Sequence, residues 1–357
     1  MFCIAAFIVL IIISIFSARY RRLAKKAWGC VARRLTFRPC DTKFKDELKS
    51  RLLAHVALKK PQFVKAASIG IEVGSFVIVA LTVWSLYVVF KSGLNLYVYG
   101  TCNPANAASC SLGAEACSIE TAKPSFVTSI KELKLHSWLA NEFSGLGETI
   151  AAVPTRMQDW RAEDYLPANA TYEQTYSNTK PTALDIFDPG CQYCRQLYRN
   201  QLQANFASKY NVSYIAYPIA NPKTGDGYKF RNSMIITRYL EAMKIKPLIK
   251  AKTPADWQIL NRIFTKADSD GTSYQQKINI VLNGDETQTL LQKWMHEMGY
   301  ADDDTSAIRT LAFSDRVSNV IENNRKIVEH KVKTVKIPTL IFNGQRHGGV
   351  VDIQDLK

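Results

Sequence analysis

The stretch DPGCQYCRQLYRN, residues 188–200, places two cysteines three positions apart, directly after Asp-Pro-Gly. The residues before it, TALDIFD at 182–188, are apolar and typical of a buried strand. The residues after the second cysteine have the apolar spacing of a helix. Cys191 and Cys194 are therefore expected at the N-terminus of a helix that follows a strand.

This position suits a reactive thiol. Unpaired backbone N–H groups and the positive end of the helix dipole stabilise a thiolate there. Reactive thiols in such settings have pKa values of about 3.5 to 7.5, against about 8.5 for a free cysteine. We predict a redox pair in which Cys191, the more exposed thiol, is the nucleophile and Cys194 resolves the mixed disulfide.

Two other interpretations of the pair are weaker. A zinc site needs four ligands, and no second Cys-x-x-Cys motif occurs in residues 92–357. The histidines of that part are scattered singly: His136, His296, His330 and His347. A static disulfide would enclose only Gln192 and Tyr193 and would constrain the unfolded chain little. No metal and no cofactor are expected.

The surrounding pattern predicts an α/β fold. The segment NVSYIAYPIA, residues 211–220, is a second strand candidate, so the chain runs strand, helix, strand, as in a parallel βαβ unit. Helical patterns then fill an insert at 225–330. The segments TLIFNG and GGVVDI return to strand spacing, and GQRHGG between them predicts the turn of a hairpin.

This order of elements resembles the thioredoxin fold, and the inserted helices resemble its DsbA-like branch. The Cys-Gln-Tyr-Cys pair has neither the Gly-Pro of thioredoxin nor the Pro-His of DsbA; its tyrosine is similar to that of the isomerases DsbC and DsbG. The resemblance covers residues 182–355, about half of the chain. It implies that Ile337 and Pro338, the latter in cis, bind substrate backbone beside the disulfide.

Asp185 is a candidate proton relay. The resemblance matches it, six residues before Cys191, to the buried acid that assists the resolving cysteine. The alternation of the strand itself puts Asp185 on the face of Phe187, opposite Leu184 and Ile186, and partial burial there would raise the pKa of the carboxyl.

The net charge of +15 is concentrated in one block. Residues 18–65 contain fifteen Lys/Arg and three Asp/Glu, a net +12, so the rest of the chain is nearly neutral and nucleic-acid binding is not expected. The block lies between two apolar runs, at 2–16 and 69–90. The positive-inside rule then predicts two membrane spans with the block in the cytoplasm and residues 92–357 outside.

These patterns predict the domain organisation. Transmembrane helices occupy 1–20 and 67–91, and a basic cytoplasmic loop lies between them at 21–66. An external linker with helices follows at 92–162. A thioredoxin-like domain with its insert at 225–330 completes the chain at 163–357.

Six further cysteines follow this topology. In the cytoplasmic loop Cys30 and Cys40 are expected to be reduced, whereas disulfides persist outside the cytoplasm; Cys3 lies in the first apolar run. Cys102, Cys110 and Cys117 lie in a loop rich in Asn, Ala, Ser and Gly. Three is an odd number, so beside a structural disulfide one thiol is left to pair with another chain or to relay electrons to the distal pair.

Together these observations predict a membrane-anchored, multi-pass enzyme of the cell membrane with its catalytic domain outside the cytoplasm. It would form, reduce or isomerise disulfides in cysteine-containing exported proteins, and it would need a redox partner. The alternative is a non-catalytic thioredoxin-like module that binds extended peptides or acts as a chaperone.

Overall fold

The structure is a computed structural model in which the chain divides into two units, Met1–Lys91 and Ser92–Lys357. The described residues are 2–16, 18–35, 49–50, 53–54, 58, 61–106, 115–119, 126–221, 227–248 and 253–357.

The first unit is helical. Helix α1, Phe2–Phe16, packs against α2, Ala18–Leu35, through buried Leu10, Ala24 and Ala27. A 3₁₀ turn, Pro61–Phe63, leads into the long apolar helix α3, Val64–Tyr99, which ends in the second unit.

Two membrane spans were predicted, and the described residues contain one helix that fits such a span. Among the described residues, the segment Pro61–Tyr99 alone is long and apolar enough to cross a bilayer. Helix α1 has 15 residues, and at 1.5 Å per residue it reaches only about 22 Å of a hydrocarbon core of about 30 Å.

Cys30 also differs from its prediction. It lies in α2, is 4% exposed and is in a disulfide, whereas a reduced thiol was expected. Cys40 lies outside the described residues.

The second unit begins with short elements. Strand β1, Cys117–Ser118, is followed by helices α4, Phe126–Lys131, and α5, Leu135–Ala152. The helical pattern of this region therefore forms two helices. They are separated at Leu133, whose φ of 55° lies in the left-handed region.

A four-stranded sheet forms the core of the unit, in the order β3–β2–β7–β8. Strands β2, Thr182–Phe187, and β3, Asn211–Ala216, are parallel, and every residue in both is buried. Helix α6, Gln192–Gln203, connects them. A minor hairpin of β4, Ala220–Asn221, and β5, Gly227–Tyr228, follows.

The predicted helical insertion is present between the third strand and the end of the chain. Its helices are α7, Ser233–Ile245, α8, Ala255–Thr265, α9, Gly284–Glu297, α10, Asp302–Ala312, and α11, Asp315–Lys326. Between α8 and α9 a helical turn, Tyr274–Gln276, continues into π-helical residues Lys277–Val281. The last two helices are separate, because Ser314 caps the second by accepting from the Val317 N–H.

The insertion leads back to the sheet through β6, Lys336–Ile337, which pairs with β1. Strands β7, Thr339–Phe342, and β8, Gln345–Gly348, form the predicted hairpin. Its turn lies at Asn343–Gly344, with φ values of 48° and 72°, and not at GQRHGG, most of which is strand. An Asn-Gly pair tolerates two successive positive φ values, which explains the shift.

Candidate active site

The loop before α6 is organised by Asp188, which the sequence analysis did not single out. Its buried carboxylate accepts hydrogen bonds from the N–H groups of Gly190 (2.8 Å) and Ile219 (2.7 Å) and from Ser233 Oγ (2.6 Å). Burial raises the pKa of this carboxyl to about 6, against the effect of these hydrogen bonds. The Asp-Pro-Gly triplet was the signal, because Asp side chains close such turns on the backbone two residues on.

Gly190 is required by close packing. A Cβ at this position would lie 2.3 Å from Phe230 Cβ, a distance that no side chain tolerates. The helical insertion also holds the loop: Asn279 donates to the carbonyl of Gly190 (2.7 Å), and Gln275 donates to those of Pro189 (2.8 Å) and Cys191 (2.9 Å). Sequence pattern alone gave no indication of these two amides.

Cys191 is the N-cap of α6, as predicted, and its carbonyl accepts from the N–H groups of Cys194 (3.1 Å) and Arg195 (3.2 Å). Its Sγ is bonded to Cys117, 74 residues earlier in the chain. Cys191 is 0% exposed, so the expectation that it is the more exposed thiol is wrong for this form, in which its sulfur is bonded to Cys117. A disulfide sulfur does not titrate, and the low thiolate pKa stays a prediction.

Cys194 is a free thiol, buried one turn into the helix. Its Sγ accepts from the Asp188 N–H at 3.4 Å. Burial raises the pKa of Cys194 well above its ordinary value; the Asp188 N–H lowers it, and the charges of Asp185 and Asp188 raise it further. This thiol therefore needs a base before it can attack.

Asp185 has the properties of such a base. It lies in the central strand β2 and is 4% exposed; its Oδ2 accepts from Gln201 Nε2 of α6 at 3.3 Å. Its Oδ1 has no hydrogen-bond partner in the described part of the chain. Burial is the main cause that raises the pKa of Asp185 to about 7, which confirms the predicted direction.

The peptide bond between Ile337 and Pro338 is cis, as the resemblance implies. The carbonyl oxygen of Ile337 lies 3.8 Å from Cys191 Sγ, although the two residues are 146 positions apart. The fold therefore brings together the cysteine pair, Asp185 and the cis-proline.

The three cysteines of residues 92–119 differ in what the structure describes of them. Cys102 is in a disulfide, and Cys110 lies outside the described residues. Cys117 reaches the site through its disulfide to Cys191.

No family model matches the chain, and no curated protein matches it. Solved structures that match include the thiol-disulfide exchange protein alpha-DsbA2 from Wolbachia pipientis, at 16% identity over 54% of this chain and 87% of that one, with a TM-score of 0.35. MdbA, a thiol-disulfide oxidoreductase from Corynebacterium diphtheriae, is 14% identical over 56% and 93%, with a TM-score of 0.39. ScsC from Proteus mirabilis is 16% identical over 64% and 94%, with a TM-score of 0.36.

These TM-scores are below 0.5, so the class of the domain is assigned from the geometry of this chain. A parallel β2–β3 pair, an antiparallel β7–β8 pair, a Cys-x-x-Cys helix after β2 and a cis-proline before β7 define a thioredoxin-like domain with a helical insertion.

Proposed function

We propose that this chain is a thiol–disulfide oxidoreductase acting on cysteine-containing exported proteins. The observation that carries the proposal is the position of Cys191. Its sulfur lies at the N-cap of a helix and beside the cis-proline strand, and it is already engaged in a disulfide while Cys194 remains a free thiol.

In the reducing direction, the Cys191 thiolate attacks one sulfur of a substrate disulfide. A Cys191–substrate disulfide forms, and the other substrate sulfur leaves as a thiolate that takes up a proton. Cys194 then passes its proton to Asp185 and attacks Cys191 Sγ, so that the second substrate thiol is released and a Cys191–Cys194 disulfide remains. Oxidation of a substrate dithiol is the same sequence reversed.

Ile337 and Pro338 would hold the substrate. The edge of β6 already pairs with an extended segment, β1, and extended peptides add to such edges by backbone hydrogen bonds. A cavity of about 730 Å³ opens along this edge and includes Glu115, Lys336 and Gly348 in its lining. The same groove supports the alternative, a module that binds extended peptides without redox chemistry.

Insulin reduction separates the two functions. The full-length protein in detergent is expected to accelerate precipitation of insulin by dithiothreitol, because its Cys191 thiolate is more abundant at neutral pH than that of the reductant. The matched control is the same preparation after denaturation and alkylation. A precipitation rate equal to that of the control would exclude the oxidoreductase and favour the peptide-binding module.

The direction of the reaction follows from the reduction potential of the pair. A value near about −120 mV would make the protein an oxidant, and one near about −270 mV a reductant. An isomerase both cleaves and forms substrate disulfides. It would therefore restore the native disulfides of a scrambled substrate without added oxidant or reductant.

We also propose that the helix Pro61–Tyr99 anchors the protein in the cell membrane, with residues 92–357 outside the cytoplasm. Support comes from its length and hydropathy, and from the basic block that precedes it, which the positive-inside rule keeps in the cytoplasm. A redox partner in or near the membrane would then renew the pair. The same proposal includes a second span, formed by the first apolar helix.

An engineered cysteine tests this location. Met157 is 80% exposed in the second unit, so Met157→Cys should react with a membrane-impermeant thiol reagent on intact cells. The wild-type chain gives the background labelling of its native cysteines. Labelling that appears only after the cells are permeabilised would place residues 92–357 in the cytoplasm and contradict the proposal.

A further inference from the structure

Residues 115–119 lie along the cis-proline strand as an extended peptide. Cys117 and Ser118 pair antiparallel with Ile337 and Lys336. The Ile119 N–H donates to the carbonyl of Val335 (3.0 Å). We refer to residues 115–119 as the internal peptide.

Further contacts fix both ends of the internal peptide. The carbonyl of Glu115 accepts from the Val350 N–H at 2.9 Å, and that of Ser118 accepts from Lys229 Nζ at 3.4 Å. Cys117 is 7% exposed and Ser118 is 1% exposed, so this is a buried association rather than a surface contact.

The cysteine of the internal peptide is bonded to the sulfur that the proposed mechanism uses first. The Cys117–Cys191 disulfide has the covalent connection of an enzyme–substrate mixed disulfide, and its peptide lies on the strand that a substrate would use. The resolving thiol, Cys194, is free and buried one turn into α6.

We propose that Cys117 is a third redox cysteine of this protein and that the internal peptide is a built-in substrate of its own site. This inference rests on the proposed function. Cys194 loses its proton to Asp185 and attacks Cys191 Sγ. The Cys117–Cys191 bond breaks, the Cys191–Cys194 bond forms, and Cys117 leaves as a thiolate that takes up a proton. The number of disulfides is unchanged, so this exchange needs no oxidant or reductant.

The exchange controls access to the site. While Cys117 is bonded, the Cys191 sulfur is fully buried and the edge of β6 is paired. After the exchange the internal peptide is held by hydrogen bonds alone, and an extended peptide that contains cysteine can replace it. The internal sequence Glu-Ala-Cys-Ser-Ile then gives the backbone register in which such a peptide would lie.

The expected rate effect follows from competition between the internal and external thiols. An internal thiol on a short tether acts at an effective concentration of about 1 mM, so a peptide at about 10 μM is outcompeted up to ~100-fold. If the Cys117–Cys191 disulfide were purely structural, we would expect no such competition. Such a disulfide stabilises the fold by closing a loop and does not exchange.

The test maps disulfides in the oxidised, full-length protein in detergent after acid quenching and alkylation. Cys194→Ala should hold nearly all molecules in the Cys117–Cys191 form, and Cys117→Ala should hold them in the Cys191–Cys194 form. Wild type should contain both forms. Cys102→Ala removes another disulfide of the same region and should match wild type.

A kinetic measurement completes the test. Single-turnover oxidation of a dithiol peptide should show a fast and a slow phase in wild type, and only the fast phase, up to ~100-fold quicker than the slow one, in Cys117→Ala. Identical traces for these two proteins, or a Cys117–Cys191 bond that Cys194→Ala leaves at its wild-type level, would overturn the role of Cys117. Failure of wild type to reduce insulin would instead overturn the proposed function, whatever the disulfide map shows.

Discussion

Replacing Cys191 by serine is expected to reduce the catalysed precipitation of insulin to the rate of dithiothreitol alone. Cys191 Sγ lies at the start of α6 and 3.8 Å from the carbonyl of Ile337, so it is the sulfur that a substrate on the β6 edge would meet. A hydroxyl in its place is a poor nucleophile and cannot form the disulfide intermediate. Cys194 cannot substitute for it, because that thiol is buried and its pKa is raised.

The matched control is Cys117→Ser. Both variants lose the same Cys117–Cys191 cross-link, but only Cys191→Ser loses the nucleophile. Loss of activity in Cys191→Ser together with retained activity in Cys117→Ser would assign the effect to the thiolate and not to a weakened fold. Insulin turbidity and far-ultraviolet circular dichroism of both variants provide the comparison. A Cys191→Ser protein as active as wild type would contradict the mechanism.

The second large effect is expected from Asp185→Asn, which should slow attack of Cys194 on a Cys191 mixed disulfide by about 100-fold at pH 7, the lower end of what a positioned base supplies. Two effects oppose each other. The variant loses the base, and it also loses a charge that raises the pKa of Cys194. Burial is the largest cause of that raised pKa and is unchanged, so the loss of the base dominates.

The pH dependence identifies this role. In wild type the rate of resolution should rise through the pKa of Asp185, about 7. The variant should lack this rise and recover only at alkaline pH, where solvent removes the thiol proton. Rapid-quench alkylation of a peptide mixed disulfide, compared with the exposed-site control Asp164→Asn, measures both profiles. Parallel profiles would exclude Asp185 as the proton acceptor.

Burial of the Asp185 carboxyl also lowers the stability of the folded state at neutral pH. Its folded pKa of about 7 lies above the ordinary value of 3.8, so the folded state retains a proton that the unfolded state has lost between these values. The contribution of Asp185 to stability is therefore greatest below about pH 4 and falls as the pH rises to about 7, by about 4 kcal/mol at 1.36 kcal/mol per pH unit.

Asp185→Asn should consequently be more stable than wild type at pH 8 and similar at low pH. The asparagine keeps an oxygen that can accept from Gln201 and has no charge to bury. Asp188, whose pKa is also raised, titrates in both proteins, so their difference isolates position 185. Urea unfolding followed by tryptophan fluorescence at low pH and at pH 8 measures it; an equal pH dependence of the two proteins would refute the buried-charge argument.

Local patterns predicted much of the domain. The apolar run of β2, the cysteine pair and the helical spacing after it placed Cys191 at a helix N-terminus, because each depends on neighbours a few residues away. The alternation of β2 predicted a buried Asp185. The cis bond at Pro338 came from resemblance, since ordinary X-Pro bonds are cis only about 5% of the time.

Where local signals compete, the predicted position of the hairpin turn was wrong. The hairpin turn was placed at a glycine-containing segment, although Asn343–Gly344 matches a two-residue turn better. The first apolar run was predicted as a second span, and the 15-residue helix that it forms leaves that span a prediction. The turn lies where Asn and Gly tolerate positive φ values, and composition over a longer window does not contain that information.

By itself the sequence determined which sulfur lies at a helix terminus and which strand carries the buried acid, because chain neighbours produce both features. Only the tertiary structure decided that Cys117, of three similar cysteines, lies on Cys191, and that Gln275 and Asn279 hold the loop before it. Those contacts join residues 74 to 89 positions apart. They depend on how strands and helices pack in three dimensions, and no periodicity along the chain records that packing.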